Sequence, residues 1–187
     1  MHNGRLADPL DPVTKELSRI SHKKSKTDDI HLELSRVEWY GSLYHTGAAP
    51  EVSDAGICAS PDARLVLPAP MIEATVVDGA RKSRKGEIAK SGSFVEEDAE
   101  FEYDGPKDIN KLWASGQHLH RVGVCVKMNR VMRSRPIFRT WSAKFVLTLD
   151  PATLNESDAF EILKTAGQLV GLGDNRPRFG RFEVTRG

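Results

Sequence analysis

The sequence predicts an α+β fold, and three observations carry that prediction. Apolar residues recur at spacings of three and four over 28–44, again from Pro70 onward, and over 155–170, the period of a helix with one buried face. They recur at period two over 119–128 and 137–149, the alternation of a strand. Hydrophobic residues make up 39% of the 187, with 27 basic and 26 acidic side chains, enough for a modest core and too many for a disordered chain. No apolar run approaches the ~20 residues that a membrane span needs. The start, Met1-His2-Asn3-Gly4-Arg5, lacks the apolar stretch of a secretory signal. Cys58 and Cys125 stand far apart, which excludes a zinc cluster or disulfide scaffold and suits a reduced, cytoplasmic chain with no membrane partner.

The elements follow in order. Pro9 and Pro12 punctuate the start, and 13–21 fits a short helix with Leu17 and Ile20 inward, followed by a basic turn at 23–26. Over 28–44, Ile30, Leu34, Val37 and Tyr40 or Gly41 share a face, with Thr27 or Asp28 as the cap. Residues 47–63, rich in Gly, Ala, Pro and Ser, read as a loop, and 64–67 as a short extended run. Pro70 stands in the first turn of a helix that carries Ile72, Val76 and Ala80 on one face and weakens at Gly79. Residues 82–92 read as a flexible basic loop. Residues 93–103 alternate with acids, with Phe94, Phe101 and Tyr103 at the apolar positions.

The strand over 119–128 places Val122, Val124, Val126 and Met128 on one face, and Arg133-Ser134-Arg135-Pro136 breaks it. The strand over 137–149 groups Ile137, Trp141, Ala143, Phe145, Leu147 and Leu149. Asn155 caps a helix with Phe160, Leu163, Ala166 and Leu169 or Val170 inward, Gly171 ends it, and 178–184 closes the chain as a strand. Trp141, Phe145, Leu147, Phe160 and Leu163 are expected to be buried together. The order strand, strand, helix, strand fits a ferredoxin-like (RRM-like) antiparallel sheet with helices on one face and basic loop insertions. The expectation is a single domain over 1–187: a helical part and loop over 1–63, then a core over 64–187 with a basic loop over 81–92.

Charge is segregated along the chain. From Ile109 to Leu149 there is no Asp or Glu, but there are Lys111, Arg121, Lys127, Arg130, Arg133, Arg135, Arg139 and Lys144. Upstream lie Glu96, Glu97, Asp98, Glu100, Glu102 and Asp104. Further basic runs are Arg81, Lys82, Arg84 and Lys85, and Arg176, Arg178, Arg181 and Arg186. Any one run reads most simply as a solvated face. Together they offer one surface to a polyanion and another to a basic partner, which also suits head-to-tail assembly.

Few motifs carry chemistry. Gly171-Leu172-Gly173 follows a helix and precedes a strand, the reverse of a dinucleotide fingerprint. His118 and His120 share a strand face, with no further ligand nearby in sequence. No nucleophile elbow or phosphate-binding loop is visible, so no catalytic residue, metal or cofactor is assigned. In the stretch 171–184, glycines permit close backbone approach to a partner, Arg176, Arg178 and Arg181 suit phosphates, and Phe179 suits stacking on a base.

That stretch, a helix followed by Gly171-x-Gly173 and then Arg176-x-Arg178-Phe179-Gly180-Arg181-Phe182, resembles the RAMP superfamily. These are RNA-binding proteins with ferredoxin-like domains that form the backbones of CRISPR effector complexes. Leu67-Pro68-Ala69-Pro70 and the strands around 133–136 are similar as well, and the likeness runs roughly over 64–184. The family opens on a strand that Met1-His2-Asn3-Gly4 does not supply. The resemblance implies non-catalytic, sequence-tolerant binding of single-stranded nucleic acid, RNA rather than DNA, by a side-by-side homo-oligomer. Its place would be the cytoplasm, that of the host if the chain is a phage or prophage member. The phosphate contacts would be Arg133, Arg135, Arg139, Arg176, Arg178 and Arg181, with Phe179 as a stacking surface. Arg81, Lys82, Arg84 and Lys85 would fold over the strand. A competing reading is a phage structural or interaction protein, such as a virion component or an inhibitor that mimics a CRISPR backbone subunit. A third is an endoribonuclease of the same superfamily with His118, His120 or His45 as general acid or base.

Overall fold

In the computed structural model, which describes residues 4–25, 27–53, 55–126 and 128–187, a single 3-10 turn (Gly4–Ala7) leads into a mixed α+β chain. The expected absence of an opening strand and the Lys26 end of the basic turn fall on, or partly on, residues outside those described. The elements are α1 (Pro12–Ser21), α2 (Asp28–Gly41), β1 (Glu51–Ser53), β2 (Gly56–Cys58), β3 (Val66–Leu67) and α3 (Ala69–Arg81). They continue with α4 (Gly86–Gly92), β4 (Ser93–Val95), β5 (Ala99–Tyr103), α5 (Ile109–Ser115), β6 (Leu119–Val126) and β7 (Asn129–Pro136). The last are β8 (Trp141–Lys144), β9 (Leu147–Leu149) and α6 (Glu156–Leu169). The chain divides into two compact units, one of residues up to Leu65 with Glu102–Ser142, the other of Val66–Phe101 with Ala143–Gly187. Among the described residues no helix is long and apolar enough to cross a membrane.

In the first unit, Asp11 caps α1 by accepting from the Val13 and Thr14 N–H groups at 2.8 and 3.3 Å, and Pro12 fills the first turn. Thr27 stands at the start of α2 but its side chain makes no cap bond; Asp28 and Asp29 face the positive end of the helix instead. The helix stops at Gly41, three residues before the expected end. Val37, Trp39 and Tyr40 are its buried face. The stretch expected to be a loop over 47–63 contains the antiparallel hairpin β1–β2, with Val52 opposite Ile57, and Ile57 is buried. The short helix α5 went unassigned in the sequence, although Asp108 caps it through Asn110 N–H at 2.8 Å and Gly116 ends it in the left-handed region.

In the second unit, α3 follows Pro68 and carries Pro70 in its first turn, as expected. The flexible loop expected over 82–92 is instead a fixed turn and a helix. The N–H groups of Lys82, Ser83, Arg84 and Lys85 all bond back to carbonyls of Gly79, Ala80 and Arg81 at 2.9 to 3.1 Å, and α4 then buries Ala89 in the core. That core joins Val76, Leu154, Ile162 and Leu163, with Phe145, Leu147 and Leu149 packed against its edge.

The long strand expected over 137–149 is divided: 137–140 lies outside any strand, and β8 and β9 are separated at Phe145 and Val146. The alternation survives because Phe145, Leu147 and Leu149 still turn toward the core, while β9 pairs with β4. Trp141 is half-buried and belongs to the first unit, and Phe160 lies under Lys164 Nζ and Arg186 Cζ, each 4.7 Å from its ring, so neither joins the expected cluster.

Asn155 caps α6 through Asp158 N–H at 2.8 Å. The final stretch is extended but is no strand. Phe182 N–H donates to the Gly167 carbonyl of α6 at 3.2 Å and Val184 packs on the core, so a helix satisfies its alternation where a sheet was expected. The three stretches expected in one sheet therefore have different partners. The sheet orders are β1-β2, β3-β5-β8, β4-β9 and β6-β7.

A candidate nucleic-acid interface on the basic ribbon

Strands β6 and β7 form a two-stranded antiparallel ribbon of eight rungs, from Leu119↔Pro136 to Val126↔Asn129. The residues Arg133-Ser134-Arg135-Pro136, expected to break a strand, are its last four on β7; Pro136 occupies the terminal rung, where a missing N–H is tolerated. The β6 strand ends at Val126, and Met128, expected at the end of its apolar face, sits in the turn with φ +70 and is 95% exposed.

Directly paired residues share a face of the ribbon. One face carries Arg121 opposite Ser134, Gly123 opposite Met132, and Cys125 opposite Arg130. The other carries His120 opposite Arg135, Val122 opposite Arg133, and Val124 opposite Val131. Arg133 and Arg135 thus share a face, as their spacing predicts; Arg139 lies in a bend outside the strand, where that parity does not extend.

The base of the ribbon is docked on α2. Glu38, 2% exposed, accepts from Arg133 Nη1 at 2.5 Å and from Ser134 N–H at 2.9 Å. Ser35 Oγ and Ser134 Oγ lie 2.6 Å apart, and Arg135 Nη1 donates to Ser42 Oγ at 3.3 Å. The Trp39 indole N–H closes the dock on the His118 carbonyl at 2.9 Å. A carboxylate this deep needs charge-assisted partners, and Arg133 is the cation that meets the need. Outside those contacts the ribbon has no such cover: Arg121 is exposed beside the docked Ser134, and toward the turn Cys125 and Arg130 are exposed and Met132 is 56% exposed. Neither Arg121 nor Arg130 is paired with a carboxylate among the described residues. Lys127, in the same acid-free run, lies outside them.

The remaining site residues belong to the second unit. Arg81 pairs with Asp78 at 2.7 Å, Lys85 with Asp158 at 2.8 Å, and Arg176 with Asp78 at 3.4 Å, while Lys82 and Arg84 are exposed. Arg178 lies 6.0 Å from the Phe179 ring, and Arg181 Nε donates to the Pro177 carbonyl at 3.1 Å. The glycines of this stretch, read as room for a partner, close the chain on itself. Leu172 N–H donates to the Gly180 carbonyl at 2.8 Å, and a Cβ on Gly180, at φ +78, would fall 1.8 Å from the Leu172 carbonyl oxygen.

Of the histidines, His118 is buried, with Nδ1 3.0 Å from the Ile137 carbonyl and its ring in one cluster with those of Tyr103 and Phe138. His45 Nδ1 lies 2.9 Å from the Thr46 carbonyl. No group of three His, Cys, Asp or Glu side chains converges among the described residues.

Three residues that matter here were not singled out as site residues by the sequence. Arg121 and Arg130 had a signal, since Arg121 is out of phase with Val122 and Val124 and so faces away from them. Glu38 had none, because its partner is 95 residues away. No protein-family model matches the chain, and neither does any curated protein or solved structure.

Proposed function

We propose that the chain binds single-stranded nucleic acid, RNA in preference to DNA, through its β6–β7 ribbon, without reading sequence and without acting on it chemically. The observation behind this reading is the exposed part of the ribbon face that Arg121, Met132, Cys125 and Arg130 share, beside the docked Ser134. Arg121 and Arg130 stand there about 14 Å apart along the ribbon, four strand residues at ~3.4 Å each. Gly123 and the exposed Met132 lie between them, in a segment without a single carboxylate. Cations at that spacing take phosphates, and the apolar strip between them takes a base face, the pairing that single strands require. Within this reading the ferredoxin-like likeness, membership in the RAMP superfamily, side-by-side assembly and a cytoplasmic location belong together as one proposal, carried by the Gly/Arg sequence of 171–182.

The test is fluorescence anisotropy with a labelled single-stranded oligonucleotide and a duplex of the same sequence, titrated at several salt concentrations. The single strand is expected to bind more tightly, with affinity falling as salt rises. Equal affinity for the duplex, or no binding at low salt, would reject the reading.

A further inference from the structure

In the second unit, two basic segments meet on one carboxylate. Asp78, in the last turn of α3, holds Arg81 Nη1 on Oδ1 at 2.7 Å and Arg176 Nη2 on Oδ2 at 3.4 Å. The first contact is an ordinary pair three residues apart on a helix. The second is not: its guanidinium arrives from 98 residues away on the loop closed between Leu172 and Gly180.

Both arginines are delivered by backbone that is fixed without Asp78. The stem of Arg81 lies across Gly86, where a Cβ would be 2.7 Å from Arg81 Cγ, and the turn after α3 is pinned by its four backbone bonds. The loop of Arg176 is pinned by the Leu172–Gly180 bond. Lys82 and Arg84 are exposed on the same turn, and Arg178 is exposed on the same loop. Two guanidinium groups converging on the two oxygens of one anionic group is the geometry by which arginines hold a phosphate.

We propose that Asp78 is the internal occupant of an anion site, and that a backbone phosphate of a nucleic-acid strand displaces it to bind between Arg81 and Arg176. The inference rests on the nucleic-acid reading above but concerns other residues, in the other unit. Both Asp78 pairs are solvent-exposed and so are weak enough to exchange for a phosphate anchored by further cations.

The experiment compares wild type, Asp78→Asn, Asp78→Asn with Arg176→Ala, and Glu161→Gln in the same single-strand titration, with thermal melts of each. Glu161 is the control, since it pairs with Lys164 three residues on at 2.8 Å and its neutralisation changes net charge equally. Asp78→Asn should bind about two- to fivefold more tightly, the range set by one exposed ion pair. Its salt dependence should steepen by up to about 0.7 in log–log slope, as the one phosphate contact for which Asp78 competes in wild type fills. Adding Arg176→Ala should cancel the gain, and Glu161→Gln should show none. Should Asp78→Asn melt early, Asp78→Ser serves in its place with the same expectation. If wild type binds but the Asp78 variants bind no more tightly, or if Glu161→Gln gains as much, the anion site is wrong and the nucleic-acid reading stands. If wild type binds no strand, both fall.

Discussion

The docked and the uncovered arginines of the β6–β7 ribbon are the same kind of residue in opposite roles. At the base, Arg133 is held by the buried Glu38 and Arg135 by Ser42, and the ribbon is joined to α2 through polar contacts that need each other. On the other face, Arg121, one rung nearer the base than Arg133, and Arg130, near the turn, meet water beside an exposed methionine. An arginine in an acid-free run is thus not yet a phosphate ligand. What decides is whether a distant carboxylate has already claimed it. The lesson reverses the roles that sequence spacing gave these positions, and it can be broken at several points.

The largest effect is expected at Arg133. Its removal leaves the Glu38 carboxylate buried with only the Ser134 N–H. A fully buried pair would cost ~3–5 kcal/mol, and the partial exposure of Arg133 reduces this to about 2 kcal/mol. Urea denaturation of Arg133→Ala should show that loss; an unchanged midpoint would mean that the base is not anchored through Glu38. Next comes the hydroxyl pair. Ser134→Ala should cost about 1 kcal/mol, because Ser35 Oγ is left buried without its partner. In the double variant with Ser35→Ala the two losses should fall short of additive, and strict additivity would argue that the hydroxyls do not interact.

Alkaline pH probes the helix on which the base rests. Burial pushes the Tyr40 phenol above its ordinary value of 10.0, against a smaller opposing influence of Arg36, and burial likewise raises Tyr44 and Tyr103. The folded chain therefore keeps these protons to higher pH than the unfolded chain does. The stability they contribute is intact below about pH 10 and is lost as pH rises through the folded values. Urea midpoints should be level from neutral pH to about pH 9 and fall beyond pH 10, with less fall in Tyr40→Phe. A Tyr40→Phe curve parallel to wild type would place the alkaline transition elsewhere.

Much of the secondary structure was legible because it is local. Asn155 caps its helix as its sequence position suggests, and the alternation of Val122 and Val124 marks β6. The errors arose where another segment supplies the deciding partner. Residues 86–92 look like a glycine-bounded loop until Ala89 is given a core to fill. Phe182 and Val184 alternate like a strand, but α6 takes up the alternation. Arg133 and Pro136 look like a strand break because the alternation of β6 runs on in the sequence to Met128, past the true end of the strand at Val126, and hides the turn to its partner. At the candidate site the basic runs were plain, and so was the spacing of Asp78 and Arg81 on one helix, whereas Glu38 for Arg133 and Asp78 for Arg176 come from other elements and leave no trace in spacing.

The smallest effect on stability and the largest on binding are expected from the same variant, Arg121→Ala with Arg130→Ala. Its unfolding free energy should stay within about 0.5 kcal/mol of wild type, since both side chains are exposed. Anisotropy titration of this variant and wild type against one single-stranded oligonucleotide over a range of salt tests the central claim most directly. The expected result is weaker binding for every sequence tried, with the log–log salt slope shallower by about 1.4, two phosphate contacts at ~0.7 each. An affinity and slope equal to those of wild type would contradict the claim and return the open face of the ribbon to the solvent.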